Sequence, residues 1–448
     1  MRYFARSLAL ALGLAGMLGC QRRAPGVGGG SAGAAGPLVT DAPRAHPAGA
    51  PSAESTPPGG HVPAAAAVKF AAASNQLGFD LYRRVATRST GDLVLSPASL
   101  DFALGLLLGG ARGVTADELR RVMHLGEPTG EVVRVGGALA ERLAASARPN
   151  HFRSANRLFG ERGYTFDAGY LELTERAYGA PLERLDFRAA PEPARALINR
   201  WVAERTEQRI RELVPRGGVS PETRLALVNA VYFLGQWATP FPKSATRPTP
   251  FDAGGGAAKE VPTMQVVGDY RLATSSPELT ALALPYAGGA FSFLILLPRA
   301  KGGLAGLEAW LSEPAWQKLL ADLKPARVAV SLPRFTIDPP ESLELAQELG
   351  AIGLRSLFDR ERADLTGIAN PPNPAERLYL SAVFHKAFIR VDETGTEAAA
   401  ATALTVTEGA APAPPPLEFK ADHPFLFALY DHASGLVLFA GRVVEPKG

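Results

Sequence analysis

From residue 68 onward, apolar positions recur at helical and strand periods in turn. Phe70, Leu77, Leu81 and Val85 fall at helical spacing and predict a first helix from about Val68 to Thr87. Leu93-Val94-Leu95 and Ser96-Pro97-Ala98-Ser99 follow, then an apolar helix from Phe102 to Leu108, broken by Gly109-Gly110-Ala111-Arg112-Gly113. Thr115-Ala116-Asp117-Glu118 has the spacing of a capping box and predicts a helix that ends near Leu125-Gly126. Arg153 to Phe159 reads as a strand. Ala168 to Tyr178 and Pro193 to Arg209 read as helices, the second with Ile198, Trp201, Val202 and Thr206 on one side.

The run from Leu225 to Leu234 is almost continuously apolar and bounded by turn residues, which predicts a strand buried on both faces. Further strands are expected at Thr280–Leu284, Phe291–Leu297 and Arg327–Leu332, a helix at Glu341–Leu349, and a long strand from Leu378 to Val391 that carries His385. The chain closes with Phe419–Ala421 and the pair Phe425–Tyr430 and Leu436–Val443, with Gly435 in the turn. No internal repeat and no second folded domain are visible.

The segment after that long strand changes character. Glu393-Thr394-Gly395-Thr396-Glu397 leads into Ala398-Ala399-Ala400-Ala401-Thr402, then Ala403-Leu404-Thr405-Val406-Thr407-Glu408, and a proline-rich exit at residues 412–416. Four alanines favour helix, but Thr405, Val406 and Thr407 are β-branched and favour a pleated surface. At period two, Thr396, Ala398, Ala400, Thr402, Leu404 and Val406 form a face able to meet a core, and the other face carries Glu397. Gly395 and the prolines equally allow an exposed loop. The segment can therefore exist as loop or strand, and its small side chains make entry between two existing strands sterically cheap.

Composition adds the frame. The chain has 448 residues, 46% hydrophobic and 20% charged, enough for a large core. The net charge of +3 gives no electrostatic case for a nucleic-acid partner. At the N-terminus, Arg2 and Arg6 precede a short apolar run, Ser7 to Leu18, too short to remain as a membrane span. It ends in Met17-Leu18-Gly19-Cys20, similar to a bacterial lipobox, with Met17 a less usual residue there. On that reading residues 1–19 are a signal peptide and lipidated Cys20 anchors an exported protein to a membrane of the cell envelope. The alternative is an ordinary secretory signal with a chance cysteine, which leaves the protein extracellular or periplasmic. Cys20 is the only cysteine, so no disulfide is expected in a compartment that would permit one. Residues 20–67 are rich in Gly, Ala and Pro and read as a disordered tether, and the folded domain spans 68–448. The tether contains a GxSxG match at Gly29–Gly33 and a GxGxxG match at Gly28–Gly33, without the strand and helix that either chemistry needs.

Candidate catalysis is thin. Seven histidines occur, no HExxH motif or metal-ligand cluster is present, and no cofactor is expected. A Ser-His-Asp triad has all three residue types available but no local signal, and His385 reads as a hydrogen-bonded interior histidine.

The run Glu393-x-Gly395-Thr396-Glu397-Ala-Ala-Ala-Ala-Thr402 resembles the reactive-loop hinge of the serpins, the serine protease inhibitor family. Ser96–Leu125 resembles that family's Ser-Pro-x-Ser…Gly-Ala-x-Gly-x-Thr-x-x-Glu-Leu pattern. Asn229-Ala-Val-Tyr-Phe-Leu-Gly-Gln-Trp237 resembles its Asn-Ala-x-Tyr-Phe-Lys-Gly-x-Trp stretch, with Leu234 in place of the lysine. Ala421–Phe427 and Phe439–Val443 resemble its C-terminal signature. The likeness covers about Val68 to Pro446.

The resemblance implies an α+β serpin fold: a large mixed central β-sheet, further sheets, about eight or nine helices, and an exposed reactive loop at about 393–417. It implies a monomeric suicide-substrate inhibitor rather than an enzyme. A protease cleaves the loop, is held as an acyl-enzyme, and is carried off as the loop joins the sheet. Twelve residues, Thr396 to Thr407, would span about 40 Å as a strand. It further implies that Trp237 and His385 lie where the sheet opens, that Ser96, Ser99 and Asn229 lie under the sheet centre, and that Ser331 replaces a histidine often found in that polar network. Counting from Gly395 places the cleaved bond at Gly409–Ala410, beside Glu408. Counting back from Pro424 places it at Ala413–Pro414, where proline makes a poor substrate. No Lys or Arg lies between Arg390 and Lys420, so the expected target is a serine protease with a small or Glu-accepting pocket, elastase-like rather than trypsin-like. A cysteine protease target, a non-inhibitory surface binding protein and a hydrolase are the rival readings.

Overall fold

The computed structural model describes residues 62–145, 150–179, 181–254, 257–396 and 414–448. The chain divides into two units, Met1–Ser55 and Thr56–Gly448, and every described residue lies in the second. Cys20 and most of the proposed tether fall outside the described residues, as do residues 397–413.

The elements in chain order begin with α1 (Ala64–Ala86), β1 (Leu93–Leu95), α2 (Pro97–Gly110), α3 (Gly113–Val122), α4 (Thr129–Ala145), β2 (His151–Glu161), α5 (Ala168–Tyr178), β3 (Glu183–Leu185) and α6 (Pro191–Arg205). Then come β4 (Leu225–Gln236), β5 (Arg247–Phe251), β6 (Lys259–Ala273), β7 (Leu279–Pro285), β8 (Phe291–Pro298), α7 (Leu304–Trp310), α8 (Glu313–Asp322) and β9 (Lys324–Pro333). The last are β10 (Phe335–Ile337), β11 (Leu343–Glu344), α9 (Ala346–Ile352), β12 (Ala382–Val391), β13 (Gly395–Thr396), β14 (Leu417–Lys420), β15 (Phe425–Asp431) and β16 (Val437–Val443).

Two sheets organise the chain. The seven-stranded sheet runs β10-β12-β13-β4-β2-β3, with β11 also on β12. The nine-stranded sheet runs β1-β16-β15-β8-β7-β6-β9-β14, with β5 on β6. The seven-stranded sheet separates two apolar clusters. Leu225, Leu227, Val231 and Phe233 of β4 belong to the larger one, which includes α2. Val228, Ala230 and Tyr232 belong to the smaller one, with Ile198 and Val202 of α6. This is why β4 reads as a continuous apolar run rather than an alternating one.

Several elements differ from the sequence expectation. Helix α1 starts at Ala64, four residues into what composition assigned to the tether, because Pro63 leads into an alanine run of high helix propensity. Helix α2 runs from Pro97 through Gly110, capped by the Ser96 hydroxyl, which accepts from the Ser99 amide at 3.2 Å. Gly110 stays helical because it packs against Ile368, which would lie 2.2 Å from a Cβ there.

The capping box is a correction. Helix α3 begins at Gly113, so Thr115 lies inside it. The Thr115 hydroxyl lies 3.0 Å from the Ser356 hydroxyl and accepts from the Asp364 amide. The Glu118 carboxylate accepts from the Ser356 amide and hydroxyl at 2.7 Å each. The motif anchors a distant loop instead of starting a helix.

The expected helix at Glu341–Leu349 is instead β11 followed by α9, because Leu343 and Glu344 pair with His385 and Phe384 of β12. The sequence expectation contains no α4, although Val132, Val135, Leu139 and Leu143 recur along it at helical spacing, and no α7, α8, β5 or β6; Pro262 and Gly268 interrupt the strand pattern of β6.

Candidate functional site: the seam between β4 and β12

Strands β4 and β12 are parallel neighbours, in register from Ala382↔Ala226 to Phe388↔Tyr232. Beyond Val391 the chain turns and comes back as β13, which is antiparallel to both. Thr396 pairs with Val391 on one side and with Gly235 on the other, and Gly395 pairs with Gln236. Gly395 and Thr396 of the hinge thus already occupy the top of the seam.

The turn that achieves this is closely specified. The Asp392 amide donates to the Gly395 carbonyl at 2.9 Å, and the Asp392 carboxylate accepts from the Thr394 amide and hydroxyl at 2.9 and 2.7 Å. Gly395 has φ +156°, and a Cβ there would lie 1.9 Å from the Gly235 carbonyl oxygen, so two glycine backbones meet where no side chain fits. The Trp237 amide donates to the Thr394 carbonyl at 3.0 Å, the Phe241 amide to the Glu393 carbonyl at 2.8 Å, and the Trp237 indole N–H to the Asp392 carbonyl at 2.9 Å. Buried Glu393 accepts from the Thr246 hydroxyl at 2.7 Å and lies 3.6 Å from the Arg334 guanidinium. Thr396 is fully buried, its hydroxyl 2.6 Å from that of Tyr286. The Tyr286 ring stacks on Trp237 at 4.7 Å and 16°, and burial raises its hydroxyl pKa far above the usual range.

Lower in the seam, Asn156 on β2, Asn229 on β4 and His385 on β12 lie in one row across the sheet. The Ser96 amide donates to His385 Nε2 at 3.2 Å, which leaves the ring proton on Nδ1, facing Asn229 Oδ1. Burial lowers the His385 pKa to about 3, so the ring is neutral. Asn229 Nδ2 donates to the Ser99 carbonyl and hydroxyl at 2.8 and 2.7 Å. The Ser99 hydroxyl lies 2.7 Å from that of Ser154, and the Ser96 hydroxyl donates to the Leu438 carbonyl at 2.5 Å. The row therefore ties both seam strands to α2. Each His385 nitrogen is engaged by an amide or amide oxygen, so His385 activates no hydroxyl.

The residues picked from sequence thus converge on one feature. Trp237, Glu393, Gly395 and Thr396 sit at its top, and Ser96, Ser99, Asn229 and His385 at its middle. Ser331 does not join them: it lies on β9 of the other sheet, paired with Gln265 and Lys420. Leu234, in place of the lysine, is half-buried at the end of β4. Glu397–Thr402, Glu408, Gly409, Ala410 and Cys20 lie outside the described residues. Tyr286, Asn156 and Ser154 were not legible beforehand, since no local pattern distinguishes them. Among the described residues no group of His, Cys, Asp and Glu is arranged to hold a metal.

The site is thus a mixed sheet with a parallel pair, β4 and β12, whose top is occupied by the antiparallel two-residue strand β13. The family model described as "Serpin (serine protease inhibitor)" matches residues 72–446, and the chain belongs to the serpin family. An uncharacterized serpin-like protein of Thermococcus kodakarensis is 38% identical over 379 residues, covering 84% of this chain and 85% of that one. The leukocyte elastase inhibitor of Equus caballus is 36% identical over 386 residues, covering 84% of this chain and all of the relative. The crystal structure of Serpin48 of Tenebrio molitor matches with a TM-score of 0.75 at 31% identity, over 85% of this chain and 98% of that one. The architecture is the α+β serpin fold, with nine α-helices among the described residues. Members of this family are mainly protease inhibitors rather than enzymes.

Proposed function

We propose that this protein is a suicide-substrate inhibitor of a serine protease. The observation that carries the reading is β13, already antiparallel between β12 and β4. Continuing its register puts Ala398 opposite Phe233 and Ile389, Ala400 opposite Val231 and Ala387, Thr402 opposite Asn229 and His385, and Leu404 opposite Leu227 and Val383. On insertion those positions would face the larger apolar cluster, and Ala399, Ala401 and Ala403 the smaller cluster under α6, so small residues would be needed on both faces. Strand β4 begins at Leu225, the partner of Val406 in this register, and insertion ends there, short of Glu408, whose lone carboxylate would be costly to bury.

In the mechanism, the protease serine attacks the carbonyl of residue 409, forming an ester and releasing residue 410 as a new amine. The freed segment then replaces one parallel ladder by two antiparallel ones, the more stable pairing per residue. The ester-linked protease is carried about 40 Å, the length of twelve residues in a strand. The uncleaved form persists behind a kinetic barrier. Cleavage beside Glu408, Gly409 or Ala410 suits an elastase-like or Glu-accepting enzyme. We assign residues 1–19 to a lipoprotein signal and Cys20 to lipid attachment, which would hold a monomeric inhibitor at the bacterial envelope.

The test is incubation with elastase-like, Glu-specific and subtilisin-like serine proteases and a papain-like cysteine protease, followed by denaturing gels and mass spectrometry. A band at the summed mass that survives detergent, with a cut inside 407–411, supports the reading. Clean cleavage without that band, and without a rise in melting temperature, would move the protein to the non-inhibitory members that the family also contains.

A further inference from the structure

We propose that the segment after β16, Val444–Gly448, is a strap across the joint between the two sheets and restrains the opening of the seam between β4 and β12. Its effect on insertion rests on the inhibitory reading; the strap itself rests on contacts alone. The joint is short. Strand β9 of the nine-stranded sheet passes into β10 of the seven-stranded sheet with only Arg334 between them. Strand β9 is fixed, because every one of its residues pairs with β6. Strand β10 is the end strand of its sheet and lies along the top of β12, Phe335 against Val391 and Ile337 against Ile389. To admit a strand beside β4, β12 and β10 move away together, with Arg334 as the pivot.

The segment is pinned on both sides of that pivot. On the side of the nine-stranded sheet, the Val444 and Glu445 amides donate to Asp92 Oδ1 at 2.7 and 3.0 Å, and Glu445 pairs with Lys259 of β6. On the other side, the Lys447 carbonyl accepts from the Thr336 amide of β10 at 2.8 Å. An end strand ordinarily leaves such a donor open to solvent. Between the pins Pro446 is buried. Gly448 rests on the joint itself, since a Cβ there would lie 3.5 Å from side-chain carbons of Arg334 and Pro262. The Arg334 amide donates to the Pro262 carbonyl at 2.9 Å, and its guanidinium lies 3.6 Å from Glu393 of the hinge. The segment thus covers the residue that faces the hinge. Strand β10 is also held through its core face, where the Phe335 and Phe425 ring centres are 6.1 Å apart. The strap adds the tie at the outer edge. One net backbone hydrogen bond changes an opening equilibrium by about fivefold.

The experiment is hydrogen–deuterium exchange on the uncleaved full chain, on the chain truncated after Glu445, and on Lys447→Ala, which keeps the backbone carbonyl. Truncation is expected to speed exchange about fivefold at residues 335–337 and 389–396, leaving β15 and β16 unchanged, and Lys447→Ala is expected to match the parent. Unchanged exchange in the truncated chain, an equal effect of Lys447→Ala, or acceleration throughout the domain would overturn the strap. Should the truncated chain fail to fold, Thr336→Pro removes the donor, is tolerated in an edge strand, and is read the same way. A synthetic peptide with the sequence of residues 396–407 then reports on insertion through the rise in melting temperature as it is taken up. Uptake about fivefold faster by the truncated chain supports the restraint, and equal rates overturn it. Absence of uptake by either chain counts against the insertion reading, and the exchange result alone then decides the strap.

Discussion

The hydroxyl of Tyr286 lies 2.6 Å from that of Thr396, and both residues are fully buried. The pair joins the residue that follows β7 to β13 of the hinge. In Tyr286→Phe the Thr396 hydroxyl loses that partner in a dry site, at a cost of about 1–3 kcal/mol. Denaturant unfolding should record this loss. Tyr286→Phe combined with Thr396→Val removes both polar groups and should recover much of it. Equal destabilisation in the single and double variants would deny the coupling.

Thr396→Arg places a guanidinium where Gly235 and Val391 flank a fully buried threonine. The expected outcome is expulsion of β13, slowed insertion, and a shift from covalent complex to cleaved product when the variant meets its protease. The ratio of the two bands on a denaturing gel reads this directly. An unchanged complex yield would remove insertion at Thr396 from the mechanism.

His385 gives an acid-side prediction. Its pKa falls from 6.5 to about 3 on folding because burial disfavours the charged ring. Below pH 6.5 the unfolded chain binds a proton that the folded state refuses. Stability is full above that pH and declines toward pH 3, by at most about 1.4 kcal/mol per pH unit. His385→Gln, which does not titrate, should flatten this slope. A smaller slope should persist, since burial also lowers the His432 pKa. Unfolding free energies at pH 4 and pH 7 decide the matter.

Asp101 acts in the opposite sense. It is buried on α2, neither carboxyl oxygen has a partner among the described residues, and burial raises its pKa well above 3.8. The folded state keeps the proton that the unfolded chain releases. Stability is therefore greatest below pH 4 as far as this group is concerned, and falls as pH rises toward the folded value. Asp101→Ala should raise stability at pH 7 by about 1–3 kcal/mol and make it less dependent on pH. A destabilised Asp101→Ala at neutral pH would mean that the carboxyl has a partner.

By itself the sequence determined the elements whose burial is set locally. The apolar run of β4, the strand around His385, helix α5 and the small residues after Gly395 all follow from side-chain size and period within a few positions. The family likeness of those stretches carried the fold with them. What only the tertiary structure decided are relations between positions far apart in the chain. Asn229 and His385, 156 residues apart, face each other because β4 and β12 are parallel neighbours. Tyr286 meets Thr396 across 110 residues. Thr115 and Glu118 serve the loop at Ser356 rather than their own helix, and Leu343 pairs as a strand because β12 offers an edge. Local propensity amounts to tenths of a kcal/mol per residue. A buried hydroxyl, amide or carboxylate needs a partner worth more than that, and the partner is found only when the chain has folded.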